Sequence, residues 1–203
     1  MRIGVLALQG AFARHLEVLS KLEVEAGEVR VPEDLSEIDG LIIPGGESTT
    51  MTTLLKAEGW LGELKVFGTH KPVFGTCAGL ILMGSEIEDS RVEPFGWLPI
   101  KILRNAYGSQ VHSFRDVGTV SGFPGHPEME MVFIRAPRFE ILSNEVKVRG
   151  TCRGEAVMIQ QGHHLAAAFH PELTDDLRVH QFWLAGVESN LATLEANFRK
   201  NRA

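Results

Sequence analysis

Apolar positions along the first half of the chain switch between short unbroken runs and a helical spacing. Ile3–Leu8 is a run that ends at Gln9-Gly10, the pattern of a buried strand entering a turn. Phe12, His15, Leu16, Leu19 and Leu22 then recur three and four apart, which predicts an amphipathic helix. Glu28–Val31 reads as a second strand stopped by Pro32, and Gly40–Ile43 as a third closed by Pro44-Gly45-Gly46. Ser48 or Thr49 can cap a helix through Leu54, Leu55 and Lys56. Pro72–Thr76 is a fourth buried strand, followed by Cys77 and a helix through Leu80, Ile81 and Met83.

The second half has a different texture. Val146–Cys152, Glu155–Gln160 and His164–Phe169 are short strands separated by Arg153-Gly154 and Gln161-Gly162, which are hairpin signals. Thr174 can cap a last helix running to about Asn197, with Asp175 and Asp176 in its first turn. Ser121–Met131 reads as a solvent-facing loop. The alternation of strand and helix predicts an α/β fold of three layers, with a mostly parallel central sheet and an antiparallel extension. No repeat, linker or low-complexity tract divides the chain, so residues 1–203 are expected to form one domain.

Composition narrows the function. A chain of 203 residues buries roughly 70% of its unfolded surface and needs no staple. Twenty Lys and Arg against 26 Asp and Glu give a net charge of −6, which argues against nucleic acid and against a polybasic membrane contact. Two cysteines, neither in a CxxC, build neither a disulfide framework nor a structural zinc site, and no metal or cofactor is expected. The start runs straight into a strand and leaves no room for a signal peptide, and no apolar stretch approaches a bilayer span. A cytoplasmic protein is the expectation.

Three segments carry chemistry. Gly75-Thr76-Cys77-Ala78-Gly79 sets a cysteine between a buried strand and a helix, the layout of a nucleophile elbow. The helix N-terminus behind it favours thiolate. A cysteine in a chain like this is ordinarily a small buried hydrophobe, and Cys152 is read that way; the elbow singles out Cys77. His170-Pro171-Glu172 follows a strand and offers a base together with a carboxylate to orient it. His15, His70, His126, His163 and His180 have no such context and read as surface or core residues. Pro44-Gly45-Gly46-Glu47-Ser48 can aim backbone N–H groups at developing negative charge. It lacks the Gly-Lys-Ser/Thr of a phosphate loop.

The order Pro-Gly-Gly-Glu-Ser, Gly-Thr-Cys-Ala-Gly, His-Pro-Glu resembles the triad (class I) glutamine amidotransferases, whose fold is flavodoxin-like. Leu8-Gln9-Gly10, Gly45–Thr50, Arg104-Asn105-x-x-Gly108, Ser113-Phe114, Phe133–Pro137 and Phe169–Thr174 are similar to the glutaminase subunits of pyridoxal 5′-phosphate synthases. The likeness extends over essentially the whole chain. It implies that L-glutamine is hydrolysed through a glutamyl thioester, with Cys77 as nucleophile, His170 as general base and acid, and Glu172 orienting His170. It implies an oxyanion hole from the N–H groups of Gly46 and Ala78, and glutamine held by Gly46, Glu47, Ser48, Arg104, Ile134 and Arg135.

The resemblance further implies a partner that takes the ammonia, a (β/α)8-barrel synthase forming a double ring with glutaminases docked around it. Arg14 and His112 depart from the family pattern, where acidic or amide residues are more usual, and bear on the partner contact rather than on catalysis. Two alternatives stay open at this point. One is a glutaminase feeding another acceptor, such as imidazole glycerol phosphate synthase; the other is a catalytically silent regulatory module. A cysteine elbow acting on aldehydes or oxidants would leave Gly45–Thr50 and His-Pro-Glu unexplained.

Overall fold

A computed structural model describes residues 1–103 and 113–200. In chain order the elements begin β1 (Arg2–Leu6), α1 (Phe12–Lys21), β2 (Glu25–Val29), β3 (Gly40–Ile43), α2 (Ser48–Ala57), α3 (Trp60–His70), β4 (Val73–Thr76) and α4 (Ala78–Met83). They continue with β5 (Gly84–Ile87), β6 (Leu98–Leu103), β7 (Phe114–Val120), β8 (Glu128–Phe133), β9 (Arg138–Ile141), β10 (Lys147–Cys152), β11 (Glu155–Gln161), β12 (His164–Ala167) and α5 (Arg178–Lys200).

Among the described residues the main sheet has nine strands, in the order β2-β1-β3-β4-β12-β11-β10-β7-β8. β2, β1, β3, β4 and β12 are parallel, and every pairing from β12 outward to β8 is antiparallel. The antiparallel extension is thus nearly as large as the parallel part. β3 (Gly-Leu-Ile-Ile) and β4 (Val-Phe-Gly-Thr) are buried along their whole length, which is why they read as unbroken apolar runs rather than alternations. A separate three-stranded sheet, β5-β6-β9, was not legible from the apolar pattern.

Several boundaries differ from the sequence expectation. β2 occupies Glu25–Val29 rather than Glu28–Val31, because it pairs in register from Arg2↔Glu25 to Leu6↔Val29. It is an edge strand carrying two glutamates, so backbone pairing rather than apolar patterning defines it. The stretch expected as a loop over Ser121–Met131 is a turn followed by strand β8, in which Met129 and Met131 are buried while Glu128 and Glu130 face solvent. That two-residue period is a strand signal.

Gly59, at φ 76°, breaks the helical stretch and a further helix, α3, follows it. Neither Ser48 nor Thr49 caps α2; Glu47 does, accepting from the N–H groups of Thr49 (3.2 Å) and Thr50 (2.7 Å). Nor does Thr174 cap α5 directly. Its hydroxyl accepts from Asp176 N, and Asp176 accepts from Arg178 N, so both aspartates precede the helix, which runs on to Lys200.

This topology gathers the three chemical segments. Pro44-Gly45-Gly46 leaves the carboxyl end of β3, Cys77 that of β4, and His170 follows β12 after two residues. These strands are neighbours in the parallel part, and ligands in such sheets bind beyond the carboxyl ends.

Candidate active site

The elbow is built by close packing. A side chain at Gly79 would overlap the carbonyl oxygen of Ile43, so α4 lies directly against the end of β3. Cys77 N donates to Ala167 O at 2.8 Å, fixing the elbow to β12. Cys77 itself sits at φ 48°, ψ −100°, a conformation costly for a residue with a side chain. Such strain in a buried cysteine fits a functional position better than a packing one. Its sulfur points at Ile134 O, 3.7 Å away.

His170 faces the elbow across Gly45. A Cβ on Gly45 would overlap Cε1 of His170 and come within 3.4 Å of Cβ of Cys77, so both residues crowd the same glycine. Nδ1 of His170 lies 2.7 Å from Oε1 of Glu172. A carboxylate only accepts, so Nδ1 carries the proton and Nε2 remains for Cys77. Burial disfavours the charged imidazole, but the Cys77 sulfur and the Glu172 carboxylate outweigh it and push His170 up to about 10. For Glu172, burial favours the neutral acid; His15 and His170 nearby reverse this and hold it below the ordinary carboxylate range. The imidazole is thus held by the carboxylate at Nδ1, while Nε2 makes no hydrogen bond among the described residues and is left for the pocket it shares with Cys77.

Cys77 and His170 line a pocket of about 360 Å³ together with Gly46, Glu47, Ser48, Ile134 and Arg135, within the size range of small-molecule sites. A larger groove of about 500 Å³ between Pro32–Ser36 and α3 pairs no cysteine with a histidine. The Glu47 carboxylate is occupied as the α2 cap, bonded also to the hydroxyls of Thr49 and Thr50, and these bonds overcome its burial to lower it to about 2. Ser48 is buried and its hydroxyl has no partner among the described residues. Arg135 adopts φ 46°, is exposed, and forms no ion pair among the described residues. Ala78 opens α4, where its N–H has no intrahelical acceptor. Arg104 lies outside the described residues.

Two histidines read as structural belong to this neighbourhood. His15 on α1 and His180 on α5 are fully buried, and Nε2 of His15 is 3.5 Å from Oε2 of Glu172. His15 occupies a core position of the amphipathic pattern, where its spacing shows burial but not what it touches.

The model of the SNO glutamine amidotransferase family matches residues 5–189. The chain belongs to that family. Within it, the chain is 49% identical over 189 residues to the pyridoxal 5′-phosphate synthase subunit PdxT of Koribacter versatilis, covering 93% of this chain and 97% of that protein. It is 46% identical to the protein of the same name from Fervidobacterium nodosum, over 93% and 98% of the two chains. A solved glutamine amidotransferase superposes with a TM-score of 0.84 at 41% identity, covering 92% of this chain and 98% of its own. PurLQS of Thermotoga maritima, at 15% identity and a TM-score of 0.67, shares the fold alone. No helix among the described residues is long and apolar enough to cross a membrane.

Proposed function

We propose that this protein is the glutaminase of a pyridoxal 5′-phosphate synthase, hydrolysing L-glutamine to L-glutamate and ammonia and passing the ammonia to a barrel-shaped synthase subunit. The observation that carries the chemistry is the strained Cys77 elbow beside His170, whose ring is fixed by Glu172 at 2.7 Å. The choice of acceptor is supported by relatives at 46–49% identity that carry the synthase name.

The Cys77 thiolate attacks the side-chain amide carbon of glutamine. The N–H groups of Gly46 and Ala78 stabilise the oxyanion, and His170 gives its Nε2 proton to the departing nitrogen, releasing ammonia and leaving a glutamyl thioester. Water then attacks the thioester while His170 takes its proton, glutamate leaves, and the thiolate returns. Glu172 keeps the ring oriented through both steps. The backbone of Gly46, Glu47 and Ser48, the Ser48 hydroxyl, Ile134 and Arg135 hold the substrate, with Arg104 joining them as the family pattern implies. An unpaired arginine suits the α-carboxylate of glutamine. Glu47 contributes through its backbone, its side chain being committed to the helix.

The whole chain acts as one glutaminase domain docked on a double-ring synthase core, in the cytoplasm, where thiols stay reduced. The test is glutamate release from glutamine by the purified chain, alone and with the synthase barrel subunit. Stimulation by that subunit, absent in Cys77→Ala, is the expected result. Turnover without stimulation redirects the acceptor, and absence of turnover in both conditions overturns the glutaminase.

A further inference from the structure

The interior behind the catalytic pocket holds two imidazoles that the mechanism above does not use. His15 projects from α1 and His180 from α5, and both are fully buried. Nε2 of His15 lies 3.5 Å from Oε2 of Glu172, and Nδ1 of His15 lies 3.0 Å from Nε2 of His180. Nε2 of His15 is also 3.3 Å from Oγ1 of Thr76, the residue before the nucleophile. That hydroxyl in turn accepts from Gly45 N at 3.0 Å. One ring therefore connects the orienting carboxylate, the elbow and the glycine loop.

The protons can be placed by elimination. Burial lowers the pKa of both His15 and His180, so each is neutral and carries one ring proton. A bare ring nitrogen facing the Glu172 carboxylate would set lone pair against lone pair, so the His15 proton belongs on Nε2. Nδ1 of His15 is then an acceptor, and the His180 Nε2 beside it must donate. This leaves Nδ1 of His180 bare, and it is that atom which has no hydrogen-bond partner among the described residues. No cluster of His, Cys, Asp and Glu among the described residues could hold a metal ion, so ligation does not account for the pair.

We infer that His15 is a positioning residue for Glu172, presenting Nε2–H to Oε2 while His170 occupies Oε1, and that His180 fixes the tautomer in which His15 can do so. At 3.5 Å the contact acts through its dipole rather than as a short hydrogen bond. Its effect is to fix the carboxylate plane. The inference rests on the Cys77–His170–Glu172 mechanism proposed above.

The experiment combines ring-nitrogen NMR of the ¹⁵N-histidine-labelled full chain with glutamine hydrolysis in the complex with the synthase barrel subunit. NMR of the wild type is expected to show His15 and His180 both neutral and both protonated at Nε2; a proton on Nδ1 of His15 overturns the assignment. His15→Leu should lower kcat roughly 10–100-fold with KM for glutamine nearly unchanged, the scale of losses for partners that orient a site group. His15→Gln, whose amide N–H can reach the Nε2 position, should restore most of that loss. His180→Phe should lower kcat less and give His15 a mixture of tautomers. A folded His15→Leu with wild-type kcat, or a loss that Gln does not relieve, overturns the inference. If His15→Leu does not fold, His180→Phe and the wild-type spectrum decide it. Absence of turnover in the wild-type complex is instead the failure of the glutaminase proposal, with the tautomers still read directly.

Discussion

Nδ1 of His170 and Oε1 of Glu172 are 2.7 Å apart, with only Pro171 between the two residues in sequence. The short turn after β12 starts with that proline, so the base and its orienting carboxylate leave the sheet as one rigid unit. Glu172→Gln keeps the shape of the side chain but can offer its NH₂ to Nδ1, which favours the wrong tautomer. The expected outcome is a fall in kcat on the order of 10²–10⁴ with the melting temperature little changed. Steady-state glutamine hydrolysis with parallel thermal unfolding checks both halves, and a kcat near wild type would remove Glu172 from the mechanism.

Gly45 is where the base meets the loop. Because any Cβ there would overlap the His170 ring, Gly45→Ala must displace either the imidazole or the loop that carries Gly46. Overpacking of this kind destabilises by about 1–3 kcal/mol. Hydrolysis should be nearly abolished even in protein that remains folded by circular dichroism. An active Gly45→Ala would show that His170 does not work from the position seen here.

The parallel half of the sheet was legible because β3 and β4 are buried on both faces and appear as plain apolar runs. The elbow was legible for a related reason: glycines at 75 and 79 answer to steric demands that few other residues meet. β2 was misplaced because an edge strand of sequence Glu-Ala-Gly-Glu-Val owes its bounds to its pairing with β1, which no local pattern records. The α2 cap was misassigned by one or two residues since Glu47, Ser48 and Thr49 all offer oxygens, and only backbone geometry chooses among them. His15 and His180 are 165 positions apart and meet only because α1 and α5 pack on the same face of the sheet behind Glu172. Spacing on either helix gives burial, not that meeting.

The strain at Cys77 makes a stability prediction that runs against the usual order. Glycine in place of alanine ordinarily destabilises. At φ 48°, ψ −100°, the penalty for a Cβ is roughly 1–3 kcal/mol, and glycine escapes it. Both Cys77→Ala and Cys77→Gly should be inactive, but Cys77→Gly should be the more stable by about 1 kcal/mol or more. Urea denaturation of the two variants measures the difference directly. An alanine variant equal to or above the glycine variant would mean that the elbow holds no strain for the nucleophile.

Burial of neutral histidines predicts a fold that loses stability in acid. His164 on β12 accepts Val73 N–H at Nδ1 (3.2 Å), and burial, with His163 adding to it, lowers it from 6.5 to about 4. Between those values the unfolded chain binds a proton that the folded chain refuses, so stability rises with pH and is lost as pH falls below 6.5. His15 and His180, lowered by burial, act in the same direction. His170 acts oppositely: raised to about 10, it contributes stability that is complete below 6.5 and is lost as pH climbs towards 10. Each neutral buried histidine should contribute a slope of about 1.4 kcal/mol per pH unit. His164→Gln keeps an acceptor for Val73 N–H but cannot take the proton, so it should reduce the acid-side slope by that amount and leave the alkaline side untouched. Denaturant titrations at a series of pH values from 4.5 to 8.5 would reveal this, and an acid limb as steep as wild type in His164→Gln would show that His164 is not held neutral in the fold.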